Sequence, residues 1–234
     1  MKSTLLLMTL NEIEGMKAIM PRIKPEWVDQ ILVADGGSTD GTVEWAKEQG
    51  YEVVVSPGKG LTKAYLAAWP KIRGDIVIYF SPDGNSVPEA IPDLIGKMQK
   101  GYDMVIASRY LGSAKSYDDD WVTRFGNLLF RTLINLLFKP KTSALMTDPF
   151  VMYRAHKKDL PSRLGIDKLE PLDKLFRTNS CWIPLLSIRA LKNKIRWTEI
   201  PVDEPTRIGG IRKLQIFRYG ALHLMQILRE WTLK

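Results

Sequence analysis

The stretch Ile31-Leu32-Val33-Ala34-Asp35-Gly36-Gly37-Ser38-Thr39-Asp40-Gly41-Thr42 carries the chain from one kind of structure into another. Its first four residues are apolar and have the length of a strand buried on both faces. Two glycines then allow a tight turn and a close approach of a ligand to the backbone. Thr39-Asp40-Gly41 opens a helix that ends at Gly50, read as a C′ glycine. Asp35, at the strand end, can accept hydrogen bonds from a nucleoside base or ribose; it can equally cap the turn that follows it.

The same alternation extends outward from this stretch. Residues 4–9, 51–55, 76–80 and 104–107 read as further short buried strands. Ser86 is placed to cap a helix that begins near Pro88-Glu89 and stops before Gly101. Repeated strand–helix–strand units predict an α/β fold with a mostly parallel sheet and helices on both faces. Ligands of such sheets bind beyond the carboxyl ends of the strands, so the loops after Thr9, Ala34, Val55 and Phe80 are where a site belongs. Past Tyr110 the pattern changes. Residues 113–120 form a polar, flexible-looking loop, 121–138 a helix, 150–153 and 195–202 strands, and 211–231 a final amphipathic helix.

Charge divides the chain in the same place. Residues 1–120 carry 13 Lys and Arg against 17 Asp and Glu, and residues 121–234 carry 21 against 9, so the net +8 arises wholly in the second half. An acidic first half, with no recognisable nucleic-acid module, argues against a nucleic-acid binder. A hydrophobic fraction of 45% supports a sizeable core and rules out wholesale disorder. The lone Cys181 excludes an internal disulfide framework and suits a reducing compartment. The apolar run after Met1 is too short for a signal peptide, and no apolar stretch approaches the ~18–20 residues of a membrane span. The expectation is a cytoplasmic protein, soluble or peripheral on the cytoplasmic membrane face.

Two loops hold chemistry of their own. In Ser56-Pro57-Gly58-Lys59-Gly60, Lys59 lies between glycines and suits an anionic ligand, although the spacing of a P-loop is missing and a solvated turn is the alternative. In Ser81-Pro82-Asp83-Gly84-Asn85, a carboxylate and an amide oxygen two residues apart at a strand end can face one hard cation. Mg2+ and similar ions prefer oxygen ligands and keep places for phosphate and water. The alternative is an Asx-type turn.

The order of these pieces resembles the glycosyltransferase family 2 GT-A fold, a Rossmann-like architecture, and in particular its dolichyl- or polyprenyl-phosphate sugar transferase branch. The matching segments are Asn11-Glu12, the Asp35 to Thr42 turn, Gly58-Lys59-Gly60, the Ser81 to Glu89 loop, Ser108-Arg109-Tyr110, Asp148-Pro149, Tyr153-Arg154, and Glu199-Ile200-Pro201 followed by Arg207 and Lys213. They span nearly the whole chain. The resemblance implies one domain over 1–234, with 1–110 as the nucleotide-sugar half and 111–234 as the basic, amphipathic acceptor half. It places the nucleotide pocket at Met8, Leu10, Asn11, Glu12, Ala34, Asp35 and Gly36, with Lys59, Ser81 and Pro82 also on the donor side. Branch members usually have Pro and Tyr where this chain has Met8 and Leu10. Asp83 falls on the second Asp of the family's Asp-x-Asp motif and Ser81 on the first. A serine hydroxyl is a neutral, weaker cation ligand, so Asp83 and Asn85 are expected to hold the divalent metal, Mg2+ or Mn2+, which can arrive with the nucleotide sugar.

Arg109, Arg207 and Lys213 match family positions that contact phosphates, where positioned cations stabilise the departing nucleoside diphosphate. Gly209-Gly210 between the last two reads as a hinge. Asp148 matches an acidic residue on the acceptor side. For a hydroxyl acceptor it is the natural general base; for a phosphate acceptor no base is required, and Asp148 orients the site or pairs with a cation. The Ser-Gly that family members often carry after this Asp is missing, which reshapes the acceptor floor. His156 and His223 read as structural or surface residues in helix or loop.

Helix 121–138 has a broad apolar face with Arg124 and Arg131 beside it. It reads either as an interfacial helix on anionic lipid, presenting a lipid-phosphate acceptor to those arginines, or as a core or dimer-contact helix. The implied activity is inverting transfer of a sugar from a nucleotide-diphosphate sugar to a polyprenyl phosphate or cell-envelope glycan. Two rivals stand beside it. One is a nucleotidyltransferase, disfavoured because residues 8–14 hold no glycine; the other is a nucleotide-sugar-binding protein with a degenerate metal site, motivated by Ser81.

Overall fold

The computed structural model describes residues 1–58, 61–166, 182–208 and 216–233. Lys59, Cys181, Lys213 and the Gly209-Gly210 pair lie outside them. Seven strands form one sheet: β1 (Ser3–Thr9), β2 (Gln30–Asp35), β3 (Glu52–Val55), β4 (Ile76–Phe80), β5 (Met104–Ser108), β6 (Arg154–Lys157) and β7 (Trp197–Pro201). Their order is β3-β2-β1-β4-β6-β5-β7. All pairings are parallel except those of β6, which runs antiparallel between β4 and β5.

Strand β1 shows why the sheet is an inner layer. All seven of its residues are buried. Leu6 and Met8 join one core, with Leu32, Ala34 and Tyr79, while Leu5 and Leu7 join another, with Val33, Ile78 and Phe80. Because successive side chains point to opposite faces, an unbroken apolar run demands cover on both. Helices α1 (Ile13–Ile19), α2 (Thr42–Glu48) and α4 (Ile91–Gln99) supply residues such as Met16, Ala46 and Leu94 to the second core. Helices α3 (Leu61–Ala68), α5 (Trp121–Phe138) and α7 (Trp182–Lys192) supply Tyr65, Ile134 and Leu186 to the first. Between α4 and α7 in sequence lies the short α6 (Leu160–Arg163), and α8 (Ile216–Thr232) packs against α5 and α7.

The mostly parallel sheet flanked by helices is the expected fold class. Gly50 has φ of +80° and follows α2 as a C′ glycine. Three expectations are corrected. Residues 150–153 are not a strand; β6 starts at Arg154, because the Arg154 guanidinium binds the carbonyls of Pro149 and Val151 and bends the preceding segment around itself. Ser86 caps nothing: a 3-10 turn at Pro88–Ala90 intervenes, with Val87 before it and no side-chain cap. Nor is the 113–120 loop loose. Lys115 and Tyr117 backbone N–H groups bind Asp203 Oδ1 and the Glu204 carbonyl, and Ser116 bridges to Glu204.

The chain builds β2 and β3 on one side of β1 and then crosses to β4 on the other. That reversal leaves a crevice between the carboxyl ends of β1 and β4, the place where such sheets bind ligands. Since β6 is antiparallel, the loop that precedes it, carrying Asp148, arrives at this same end.

Candidate active site at the carboxyl ends of the strands

Asp83 lies in the loop after β4 and is 5% exposed. Its Oδ1 accepts from the Asn85 backbone N–H at 3.1 Å, and its Oδ2 lies 3.0 Å from Arg207 Nη1. The Ile208 N–H donates to the Asp83 carbonyl at 2.7 Å, so the Arg207 segment is docked on this loop. The loop in turn lies against α1 through Gly15. A Cβ there would sit 2.3 Å from the Pro82 carbonyl oxygen, so only glycine admits this approach.

Around Arg109, at the end of β5, carboxylates gather. Nε and Nη2 donate to Asp148 Oδ2 and Oδ1 at 2.7 and 3.0 Å, Nη1 donates to Glu204 Oε2 at 3.1 Å, and Asp119 lies 3.9 Å from Nη1. Burial works against the guanidinium charge, but Asp148 and Glu204 outweigh it and hold Arg109 above its ordinary pKa. Burial raises the Glu204 carboxyl despite Arg109. Glu199 anchors the loop that delivers Asp148, accepting the Thr147 and Asp148 N–H groups and the Thr147 hydroxyl. Burial raises this carboxyl too. Arg154, with no exposed surface, holds Pro149 and Val151 from beneath and shares Pro149 with Ser187.

A cleft of about 210 Å3 brings Ser81, Asp83, Asn85, Arg109, Glu204 and Arg207 together, with Phe150, Val151 and Met152 as an apolar wall. Asp148 stands behind Arg109. The strand-end residues on the β1–β2 side fare differently. Met8 and Ala34 side chains belong to the core, so they can offer a ligand only backbone. Both Asp35 oxygens are used within the turn, by the Thr9 hydroxyl and by the Gly37 and Ser38 N–H and Ser38 hydroxyl groups. The capping alternative is thus the one realised. Asn11, with φ of +54°, exchanges hydrogen bonds with Ser38 and Thr39, and the N–H of the buried Glu12 donates to the Thr42 hydroxyl. Leu10 and Gly36 lie on the same rim, the Gly36 N–H bonded to the Thr9 carbonyl.

Arg109 lines the cleft with its Nε, Nη1 and Nη2 each engaged by Asp148 or Glu204. The Arg207 Nε–H is buried and finds no acceptor among the described residues. Arg131 and Arg109 both lie over the Tyr110 ring, at 5.7 and 5.1 Å from its centroid, whereas Arg124 is exposed on α5. Tyr110 also bonds Asp119 and accepts from Asn127 of α5, tying that helix to the cleft. Sequence reasoning missed Glu204, Asp119 and Gly15. The run of three acidic residues Asp118-Asp119-Asp120 was the one visible sign.

The residues fit a divalent cation bound together with an anionic ligand. Asn85 Oδ1 is buried without a hydrogen-bond partner, two residues from the Asp83 carboxylate, and both groups are hard oxygen donors. Among the described residues no group of three or more His, Cys, Asp or Glu side chains could hold a metal unaided. Phosphate oxygens and water would have to complete the shell.

A family model described as Glycosyl transferase family 2 matches residues 21–158, more than half of the chain. The chain belongs to glycosyl transferase family 2. It is a nucleotide-sugar glycosyltransferase, and the match runs from before β2 through β6, including Asp35, Asp83, Arg109 and Asp148. The family 2 chain is 30% identical over 227 residues to an undecaprenyl-phosphate mannosyltransferase of Micrococcus luteus, covering 87% of this chain and 86% of the relative. It is 25% identical to a polyprenol monophosphomannose synthase of Mycolicibacterium smegmatis, covering 91% and 81%. Its fold is similar to that of glucosyl-3-phosphoglycerate synthase from Mycobacterium tuberculosis, solved in complex with Mn2+, UDP and phosphoglyceric acid. That likeness has a TM-score of 0.72 at 21% identity and covers 100% of this chain and 79% of the other. The same synthase is also solved with Mg2+ and UDP, with a TM-score of 0.69 at 21% identity, 98% of this chain and 79% of that one covered.

Proposed function

We propose that this glycosyltransferase moves a sugar from a nucleoside-diphosphate sugar to a polyprenyl phosphate, with inversion, in the cleft between Asp83 and Asp148. The observation that carries the acceptor class is the two-point engagement of Asp148 by Arg109. A hydroxyl acceptor needs a base with a free lone pair aimed at its proton, and Asp148 spends both oxygens on a guanidinium. A phosphate is already an anion and needs none. The names of the two relatives, both polyprenyl-phosphate sugar transferases, support the same reading.

The donor lies across the crevice, with its nucleoside on the rim formed by Leu10, Asn11, Glu12 and Gly36. A divalent cation on Asp83 and Asn85, when bound, supplies charge to the diphosphate. Arg207 supplies its free N–H donors to the same phosphates and, with Lys213 and Lys59 as further candidates, offsets the negative charge that grows as the diphosphate departs. The acceptor oxygen attacks the anomeric carbon from the face opposite the diphosphate, forming a C–O bond as the C–O bond to the leaving group breaks. Arg109 fixes the Asp148 and Glu204 carboxylates that shape the acceptor side. Residues 1–110 and 111–234 act as donor and acceptor halves of one domain.

Helix α5 suits a membrane-borne acceptor. Trp121, Phe125 and Leu136 are 81, 63 and 76% exposed, Leu128 and Leu129 about half so, and all lie on one face. Arg124 and Arg131 flank that stripe on the side where headgroup phosphates would sit. No helix among the described residues is long and apolar enough to cross a membrane. The exposed apolar stripe of α5 and its flanking arginines support a peripheral placement, on the cytoplasmic face.

The test is incubation with UDP- and GDP-sugars, Mg2+ or Mn2+, and undecaprenyl phosphate in vesicles. The expected result is nucleoside diphosphate release in step with an acid-labile lipid-linked sugar. Release of diphosphate only with a glycan acceptor would overturn the lipid-phosphate assignment, and no release with any donor would overturn the transfer reaction.

A further inference from the structure

We infer that Arg207 is a built-in counter-cation of Asp83, holding the metal position closed until a diphosphate draws the guanidinium away, so that metal and donor bind only together. The inference rests on the donor site proposed above and concerns how that site is loaded.

Asp83 has no idle oxygen. Oδ1 accepts from its own turn, and Oδ2 faces Arg207 Nη1 at 3.0 Å, with the two side chains 7 and 21% exposed. A divalent cation reaching Asp83 Oδ2 would stand within about 4 Å of that guanidinium, where like charges repel strongly away from bulk water. The composition of the loop sharpens the competition. With Ser81 in place of a second carboxylate, one carboxylate faces one guanidinium and that pair is neutral; the next carboxylate, Asp118, is engaged by the Asn85 amide Nδ2 at 3.2 Å. Asn85 Oδ1 waits unpartnered beside the pair but carries no net charge.

The guanidinium, for its part, is poorly satisfied. Its Nε–H is buried with no acceptor among the described residues. A buried donor without a partner is costly, and a diphosphate oxygen would satisfy it. Once Arg207 turns to phosphate, Asp83 Oδ2 is released to the cation, and the cation in turn neutralises the same phosphates. Each ligand therefore raises the affinity of the other, by the same factor in both directions. The backbone contact of Ile208 with the Asp83 carbonyl keeps Arg207 within reach in both states.

Mn2+ binding is to be followed by electron paramagnetic resonance with wild type, Arg207→Met and Arg207→Lys, each without nucleotide and with UDP or GDP. Wild type is expected to bind Mn2+ at least tenfold more weakly without nucleotide than with it. Arg207→Met is expected to bind Mn2+ alone about tenfold more tightly than wild type, while UDP or GDP binding without metal weakens. Arg207→Lys keeps the charge and should stay near wild type for Mn2+ alone, which separates loss of the cation from a general disturbance of the loop. Unchanged donor-free Mn2+ affinity in Arg207→Met would overturn the inference. Failure of wild type to bind either nucleotide, with or without Mn2+, would instead overturn the donor site itself.

Discussion

The guanidinium of Arg109 clasps the carboxylate of Asp148 at two points, 2.7 and 3.0 Å, joining the end of β5 to the loop that leads into β6. Both side chains are almost fully covered. Breaking a buried pair by removing one partner strands the other charge, at a typical cost of about 3–5 kcal/mol. Asp148→Ala should lower the free energy of urea unfolding by about that amount. Combining it with Arg109→Met and Glu204→Gln, so that the second carboxylate on the guanidinium is not stranded in turn, should recover much of the loss without restoring turnover. Additive losses in the combined variant would show that the clasp contributes no coupling.

Gly15 decides how closely α1 approaches the Asp83 loop. Gly15→Ala drives a methyl group to 2.3 Å from the Pro82 carbonyl, and the loop must move. Overpacking of this kind costs about 1–3 kcal/mol, and calorimetry should find nucleoside diphosphate binding with Mn2+ weakened roughly tenfold. The control is Gly96→Ala in α4, where a Cβ meets nothing within 4 Å. That variant should bind normally and gain about 0.5–1 kcal/mol of stability, because glycine is a poor helix former.

Burial pushes His156 and His223 down to about 4. In the unfolded chain each titrates near 6.5, so between these values the unfolded state holds protons that the folded state lacks. Stability should therefore fall as pH drops from about 6.5 to 4, by up to about 1.4 kcal/mol per pH unit for each histidine. The raised carboxyls of Glu199 and Glu204 act in the opposite sense, since the folded protein takes up their protons first. Urea melts of wild type and His223→Phe across this range isolate the histidine: the variant's curve should be shallower by one histidine's slope, and parallel curves would refute the assignment.

Phe125→Glu and Leu136→Glu alter exposed positions of α5 and should leave thermal unfolding within about a degree or two, as surface changes usually do. Sedimentation with vesicles rich in anionic lipid should show both variants largely in the supernatant when wild type pellets. Arg124→Gln with Arg131→Gln should weaken binding to anionic vesicles and spare what binding there is to neutral ones. Equal sedimentation of all forms would remove α5 from the membrane contact.

Much of this molecule can be read along the chain because its information is local. The strand Ile31 to Asp35, its glycine turn and the helix closed by Gly50 follow from short-range sterics and an apolar run that needs cover on both faces. The same logic located β1, β4, β5 and β7 and both ends of α5. By contrast, β6 was misplaced because it reads Arg-Ala-His-Lys, a polar word inserted between two buried strands. It holds that place through partners far away in sequence: Arg154 meets Ser187, and His156 lies against Tyr79.

The sequence by itself therefore determined the parallel strands and the turns that follow them, since periodicity and turn chemistry are properties of neighbouring residues, and the order of its motifs carried the resemblance to the family. Only the tertiary structure decided how the charges in those loops are spent. Arg109 is committed to Asp148 and Glu204, and Arg207 to Asp83, across separations of 39, 95 and 124 residues. Coulombic pairing depends on distance through space and on burial, and neither is written in the order of residues along the chain.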